Sequence, residues 1–293
     1  MGYMHIASLY RLPEFFELFP EVYAMEKIHG TSTWLRFEHG SLYRHSGGEE
    51  SFAFSSLFDR DFLVGELTKM STENNWSLIK VHGEAYGGKQ QGMRETYGSK
   101  LKFIVFDIYV EDRQGKRFLS VPEAESIAHR LGLEFVHYVK LENKPEIIEL
   151  EADKESIQAI RNGMGPGKER EGIVVRPLKE CCLPGGKRAI AKHKNANFWE
   201  IRSRRPLGER LQVVSDINNI VEDWVTENRF THVMDRVVRE REDKSVTIKD
   251  IKVFLDLMVE DVQRESEGEV VWTDALVRAI RQKAAIMFRG RWV

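Results

Sequence analysis

The sequence predicts an α+β protein, with an antiparallel-sheet domain over residues 1–204 and a small all-α C-terminal domain over 205–293. Three observations lead there. Up to about residue 200, strand-like runs and helical segments follow one another without regular alternation, which argues against a doubly wound sheet. Beyond about residue 205, the apolar residues recur at helical spacing. Between the two parts, Arg205-Pro206-Leu207-Gly208 is a break suited to a junction.

Residues 12–22 read as a short turn or helix that delivers the chain into a strand at 22–25. A second strand covers 31–38, where β-branched and aromatic residues alternate. His39-Gly40 turns the chain into a third strand at 41–45, and Gly47-Gly48 breaks it. Phe62, Leu63, Leu67 and Met70 give helical spacing over 59–71, and a strand follows at 76–86. The segment 88–100 is glycine-rich and polar, which reads as a surface loop. The run 101–110 is apolar on both faces in part, hence a sheet centre.

Pro122 in a first turn and Gly132 as a stop bracket a helix from 121 to about 131. A strand near 135–139, a charged helical segment at 146–161 and a glycine loop at 163–167 come next. Strands at 171–177 and 188–194 complete the first domain. In the tail, Leu211, Val214, Ile217, Val221 and Trp224 mark one helix. Ile248, Ile251, Phe254, Leu255, Met258 and Val262 mark a second, and Leu276, Ile280 and Met287 a third.

With 293 residues, 42% of them hydrophobic, the chain can bury a substantial core. A net charge of -2 gives no global positive field, although a local basic groove can still segregate. The two cysteines, Cys181 and Cys182, are adjacent, which fits neither a disulfide scaffold nor a four-ligand zinc site. No apolar stretch approaches the roughly 20 residues that span a bilayer, and the first residues lack a signal-peptide layout. A soluble, cytoplasmic protein without a membrane partner is expected.

The chemistry centres on Lys27, three residues ahead of Gly30 and between two strands. A lysine amine becomes a nucleophile when desolvation or neighbouring cations favour its neutral form. Lys192 and Lys194 alternate along one strand, so both face the same way and can neutralise a phosphate under attack. Glu84 and Glu171 sit at strand ends beside glycine, placed for a ribose hydroxyl or for Mg²⁺. Phe106, in an apolar strand, is either core or a ring face for a purine.

In order, Lys27-Ile28-His29-Gly30, His82-Gly83-Glu84, Phe106-Asp107-Ile108, the stretch from Glu171 to Arg176, and Lys192-His193-Lys194 form a specific set. It resembles the covalent nucleotidyltransferase superfamily of polynucleotide ligases and mRNA capping enzymes, over roughly residues 20–200. Within it, Glu26 to Gly30 and the Lys192-His193-Lys194-Asn195 run are most similar to the RNA ligase 2 family of phages and the kinetoplastid RNA-editing ligases. DNA ligases usually carry aspartate where His29 stands.

The resemblance implies an antiparallel-sheet, ATP-grasp-like ligase domain that uses ATP and Mg²⁺ or Mn²⁺. Lys27 would form a lysyl-AMP adduct, with Glu26 and Ile28 beside it in the nucleotide site. Glu84 would bind the ribose, Phe106 would stack on the adenine, Glu171 would organise the metal, and Lys192 and Lys194 would hold the α-phosphate. The family's basic residue after the nucleophile falls at Arg44 or His45; Arg44 is preferred because its charge is permanent. The implied partner is RNA with 3′-hydroxyl and 5′-phosphate ends at a duplex nick, sealed by a monomer. A DNA ligase, a GTP-using capping enzyme and a non-catalytic RNA-end binder are the alternatives. Arg278, Arg281, Lys283, Arg289 and Arg291, with no acidic residue after Asp274, suggest phosphate contacts in the tail.

Overall fold

A computed structural model describes residues 2–46, 51–195, 198, 216–239, 246–267 and 270–291. The chain divides into two compact units, Met1–Ile6 with Glu14–Asn195, and Ala7–Pro13 with Ala196–Val293. The expected junction at Arg205–Gly208 lies outside the described residues, as do Leu211 and Val214.

Strands β1 (Ala7–Ser8), β2 (Glu21–Glu26), β3 (Thr31–Glu38), β4 (Ser41–His45), β5 (Leu78–Tyr86), β6 (Lys102–Asp112), β7 (Gly115–Phe118), β8 (Tyr138–Glu142), β9 (Gly172–Pro177) and β10 (Ala191–Lys194) follow in chain order. In the first unit, one antiparallel sheet runs β10-β9-β2-β8 and a second runs β4-β3-β5-β6-β7. Helices α1 (Glu14–Leu18), α2 (Ser51–Ser55), α3 (Arg60–Asn74), α4 (Arg94–Tyr97), α5 (Val121–Arg130), α6 (Pro145–Ala152) and α7 (Ile157–Arg161) complete that unit. The α+β class expected from the sequence is the one observed.

One face of the second sheet forms the core: Leu35, Phe37, Ile79, Val81, Ile108 and Val110 pack with Leu63, Leu67 and Met70 of α3 and Ala124 and Ala128 of α5. Burial of apolar surface is the main force holding this layer. Helix α3 begins at Asp59, whose carboxylate accepts from the Phe62 N–H at 3.0 Å, and ends at Asn75 in the left-handed region. Helix α5 carries a capping box, Ser120 with Glu123, and the expected Pro122 in its first turn.

Four local readings change. The charged segment at 146–161 is two helices, because Ser156 caps α7 by accepting from the Ala159 N–H at 3.0 Å. The strand expected near 135–139 begins later, at Tyr138. The segment 88–100 is not all surface: it folds back through α4 and buries Gln90 and Tyr97. A helix not read from the sequence appears in the tail at Glu227–Arg239.

In the second unit, α8 (Ile217–Trp224), α9 (Glu227–Arg239), α10 (Ile251–Glu265) and α11 (Asp274–Gly290) pack around Trp224, Phe230, Phe254, Met258, Ile280 and Phe288. Arg229 and Asp261 form a buried ion pair, and Arg264 bonds the same carboxylate. Three of the five basic residues in and after α11 meet acids from other helices: Arg281 with Asp256, Lys283 with Glu222 and Arg291 with Glu227. The basic stripe is therefore partly neutralised where it folds.

Candidate active site

Strand β2 hands the chain to Lys27, whose backbone N–H donates to the Gly172 carbonyl at 2.9 Å and extends the ladder with β9. Gly172 has φ +144°, and a Cβ there would meet the His193 carbonyl at 2.2 Å, so only glycine lets β9 and β10 close at this point. Gly30 lies as close to the next strand: a Cβ would stand 2.3 Å from the Ala85 carbonyl. The loop is buttressed from the segment 88–100, where the Tyr97 hydroxyl accepts from the His29 N–H at 3.4 Å and Gln90 accepts from Thr31 Oγ1 at 2.6 Å.

Lys27 Nζ donates to Glu171 Oε2 at 2.7 Å, His29 Nδ1 lies 3.0 Å from the same oxygen, and Lys194 Nζ lies 3.6 Å from Oε1. Glu171 is buried. Burial by itself raises its pKa, but Lys27, His29 and Lys194 outweigh that and hold the carboxyl well below the usual carboxylate range. Lys192 stands opposite Val174 in the β10–β9 ladder, on the same face as Lys194.

Next to Lys27 opens a cavity of about 390 Å³, within the size range of small-ligand sites, roughly 300–1,000 Å³. Phe106 from one sheet, Met25 and Val174 from the other, and Ile190 just ahead of β10 line it, leaving an apolar slot of the kind a flat base fills. Glu84 and Ser32 stand directly opposite each other across β5 and β3 and supply polar groups at its rim. Phe106 reaches the slot through a β-bulge: His82 pairs with Asp107 and Gly83 with Val105, leaving Phe106 as the extra residue.

The other sequence candidates divide. Ile28 lines the cavity. Glu26 also lines it, but its carboxylate accepts from Ser156 Oγ at 2.6 Å and the Gln158 N–H at 3.2 Å, and burial raises its pKa. Neither Arg44 nor His45 lines the cavity. Arg44 stands opposite the core residue Leu35, whereas His45 stands opposite Trp34 and stacks on it at 5.6 Å, on the sheet face that carries Ser32 and Glu84. Pairing register therefore favours His45 for the open basic position, the reverse of the preference drawn from charge.

Sequence reasoning did not single out Ser32, Gly2, Tyr3, Met4 or Ile6, and gave no role to Asp107, Val174 and Arg176 within the motif segments; all of these line the cavity. For Ser32, its place opposite Glu84 was a usable signal. Asp107 is buried and accepts from Arg176 at 3.1 Å, Arg188 at 2.5 Å and the Tyr3 hydroxyl at 2.5 Å. Glu180 bonds both guanidinium groups, so an ionic cluster ties β6 to β9 behind the slot.

His82, between this cluster and Phe106, is 3% exposed. Burial, with Lys80 adding, pulls its pKa from 6.5 down to about 4. In the unfolded chain the imidazole takes its proton near pH 6.5, so the stability tied to the buried neutral ring is intact above that value and is lost as pH falls toward 4. The expected loss is about 3 kcal/mol, from roughly 1.4 kcal/mol per unit. Urea denaturation at pH 7, 5.5 and 4 should show a shallower fall for His82→Asn than for the wild type, and equal slopes would remove His82 as the cause.

Two antiparallel sheets thus flank an apolar slot, with Lys27 and the buried carboxylate it bonds at its polar edge. The chain belongs to the RNA ligase family, whose family model matches residues 20–194. Among solved structures, two variants of the Naegleria gruberi RNA ligase with ATP and Mn match with TM-scores of 0.51 and 0.52 at 19% and 18% identity. Each alignment covers 68% of this chain and 56% or 57% of that protein. The same ligase with pyrophosphate matches with a TM-score of 0.50 at 18% identity, over 68% and 57% of the two chains. At these identities the likeness shows the fold, and the chain spans little more than half the length of the ligase it matches. No curated protein matches the chain.

Proposed function

We propose that this protein is an ATP-dependent RNA ligase that joins 3′-hydroxyl and 5′-phosphate ends through lysyl-AMP and RNA-adenylate, at nicks in duplex RNA. The observation that carries the reading is the position of Lys27 Nζ, at the polar edge of a base-sized slot and 2.7 Å from Glu171. Family membership supports it, and the ATP and Mn of the Naegleria structures support the nucleotide and a divalent cation.

In the first step the Lys27 amine, freed of its third proton, attacks the α-phosphorus of ATP. The N–P bond forms, the bond to the β-phosphate oxygen breaks, and pyrophosphate leaves. Glu171 Oε2, already bonded to Nζ, orients the amine, and the proton passes to solvent. Phe106 and Val174 hold the base, Glu84 and Ser32 face the ribose, and Lys192 and Lys194 meet the phosphate charge. His45 is the better placed candidate for the outer phosphates. An oxygen of the RNA 5′-phosphate then displaces Lys27 from the AMP phosphorus. Finally the 3′-hydroxyl attacks the 5′-phosphorus and AMP departs.

Among the described residues, no group of three or more His, Cys, Asp or Glu side chains comes together to hold a metal ion. A Mg²⁺ or Mn²⁺ bound by one carboxylate, phosphate oxygens and water needs no such group, and Glu171 is the carboxylate that fits. Bound there, the cation neutralises charge on the reacting phosphate.

We assign the helical unit, with a boundary after the β10 strand, to holding the RNA during sealing. No helix among the described residues is long and apolar enough to cross a membrane.

The test offers the protein labelled ATP or GTP, then nicked duplexes of RNA or DNA. ATP labelling and faster sealing of the RNA nick are expected. Labelling by GTP alone points to a capping-type enzyme, and preference for the DNA nick points to a DNA ligase; either would overturn the reading.

A further inference from the structure

The segment from Gly2 to Ile6 has no regular structure, yet Gly2, Tyr3, Met4 and Ile6 all line the slot. Of these, Tyr3 is the anchored one. Its hydroxyl donates to Asp107 Oδ2 at 2.5 Å and accepts from Arg188 Nη1 at 2.8 Å. Its ring stands edge-on to Phe106, with centroids 4.9 Å apart at 79°, and to His82, 4.8 Å apart at 66°. His82 and Phe106 lie nearly parallel at 21°, so Tyr3 joins the two in a cluster of rings, with Phe118 beside it, and both Tyr3 and Phe106 face the slot.

Phe106 needs such a brace. As the extra residue of a bulge it lacks a directly opposed partner on β5, so the ladder does not fix its ring against a cross-strand neighbour. A stacked base gains only when the ring is held in plane before it arrives, because freezing a loose ring on binding costs affinity.

The geometry points to Tyr3 as the positioning residue for the base: its ring holds Phe106 in the plane that receives the purine, and its hydroxyl anchors it to the ionic cluster behind. This rests on the reading of the slot as an ATP site. It acts on binding, since Tyr3 stands on the side of Phe106 and Asp107 and makes no contact with Lys27 among the bonds described.

The test measures formation of the labelled adduct at varied ATP, with Mg²⁺, for the wild type, Tyr3→Ala, Tyr3→Phe, Phe106→Ala and the double variant Tyr3→Ala/Phe106→Ala. For Tyr3→Ala, KM for ATP should rise about tenfold while kcat stays within about twofold, the size expected for one aromatic contact. Tyr3→Phe, which keeps the ring, should stay within about threefold of the wild type, and in the Phe106→Ala background the loss of Tyr3 should change KM by less than about twofold. An unchanged KM in Tyr3→Ala, a fall in kcat at saturating ATP instead, or an equal defect in Tyr3→Phe overturns the assignment. If Tyr3→Ala does not fold, Tyr3→Phe and the Phe106 background decide. A wild type that forms no ATP adduct sinks the nucleotide reading itself, whereas a normal wild type with an unaffected Tyr3→Ala sinks only the role of Tyr3.

Discussion

Replacing Lys27 by alanine is expected to abolish the covalent AMP adduct completely. No other side chain near the slot can take its place: Lys194 sits on the far oxygen of Glu171, and Lys192 on another strand. Arginine at the same position is the sharper variant. Its guanidinium can keep the bond to Glu171, yet it stays protonated and cannot attack phosphorus. Both variants should melt near the wild-type temperature, because Lys27 is partly exposed and Glu171 keeps His29 and Lys194 beside it. Gel analysis after incubation with α-labelled ATP reads the result. A residual adduct in Lys27→Ala would refute the nucleophile. Supplying RNA that is already adenylylated should bypass the defect, since only the first transfer uses the amine.

Removing the charge of Asp107 is expected to cost about 3–5 kcal/mol of stability, the loss seen when one partner of a buried ion pair is removed. The carboxylate is 1% exposed and faces two guanidinium groups, leaving Glu180 alone to balance Arg176 and Arg188 in Asp107→Asn. Burial pushes its pKa up, and the two arginines more than reverse that, so the carboxyl lies below its ordinary range. The stability it contributes is accordingly present at neutral pH and is lost as pH falls through that lowered value. Denaturant unfolding of Asp107→Asn at pH 7 makes the measurement. A loss under about 1 kcal/mol would show that the cluster is not a structural tie.

Much of the fold was legible because it is written locally. Alternation in 31–38, the cap and stop of the helix at 121–131, and the single face shared by Lys192 and Lys194 all follow from neighbours in sequence. What escaped depends on partners distant in the chain. The choice between Arg44 and His45 turns on how β4 registers against β3, a one-residue matter that side-chain charge does not reveal. The tail seemed evenly basic because Asp256, Glu222 and Glu227, which answer its cations, come from other helices. The segment 88–100 looked solvated by composition, yet Tyr97 and Gln90 are buried and bond His29 and Thr31 in and after the Lys27 loop. Tyr3 lies in a stretch without periodicity, so nothing in the sequence marked it.

The bulge in β6 means that this strand is read in two frames. Before it, odd-numbered Phe103 and Val105 point into the core; after it, even-numbered Ile108 and Val110 do. The apolar character on both faces is the overlap of these frames, and the residue inserted between them is the one that faces the slot. The residue at position 106 thus lies outside both frames, and its ring packs against Tyr3 and His82 rather than against a partner in the ladder. Removing that residue would close the bulge with Gly83–Val105 and His82–Asp107 as consecutive pairs and Ile108 and Val110 still facing inward, so the extra length of this strand serves the slot and not the core.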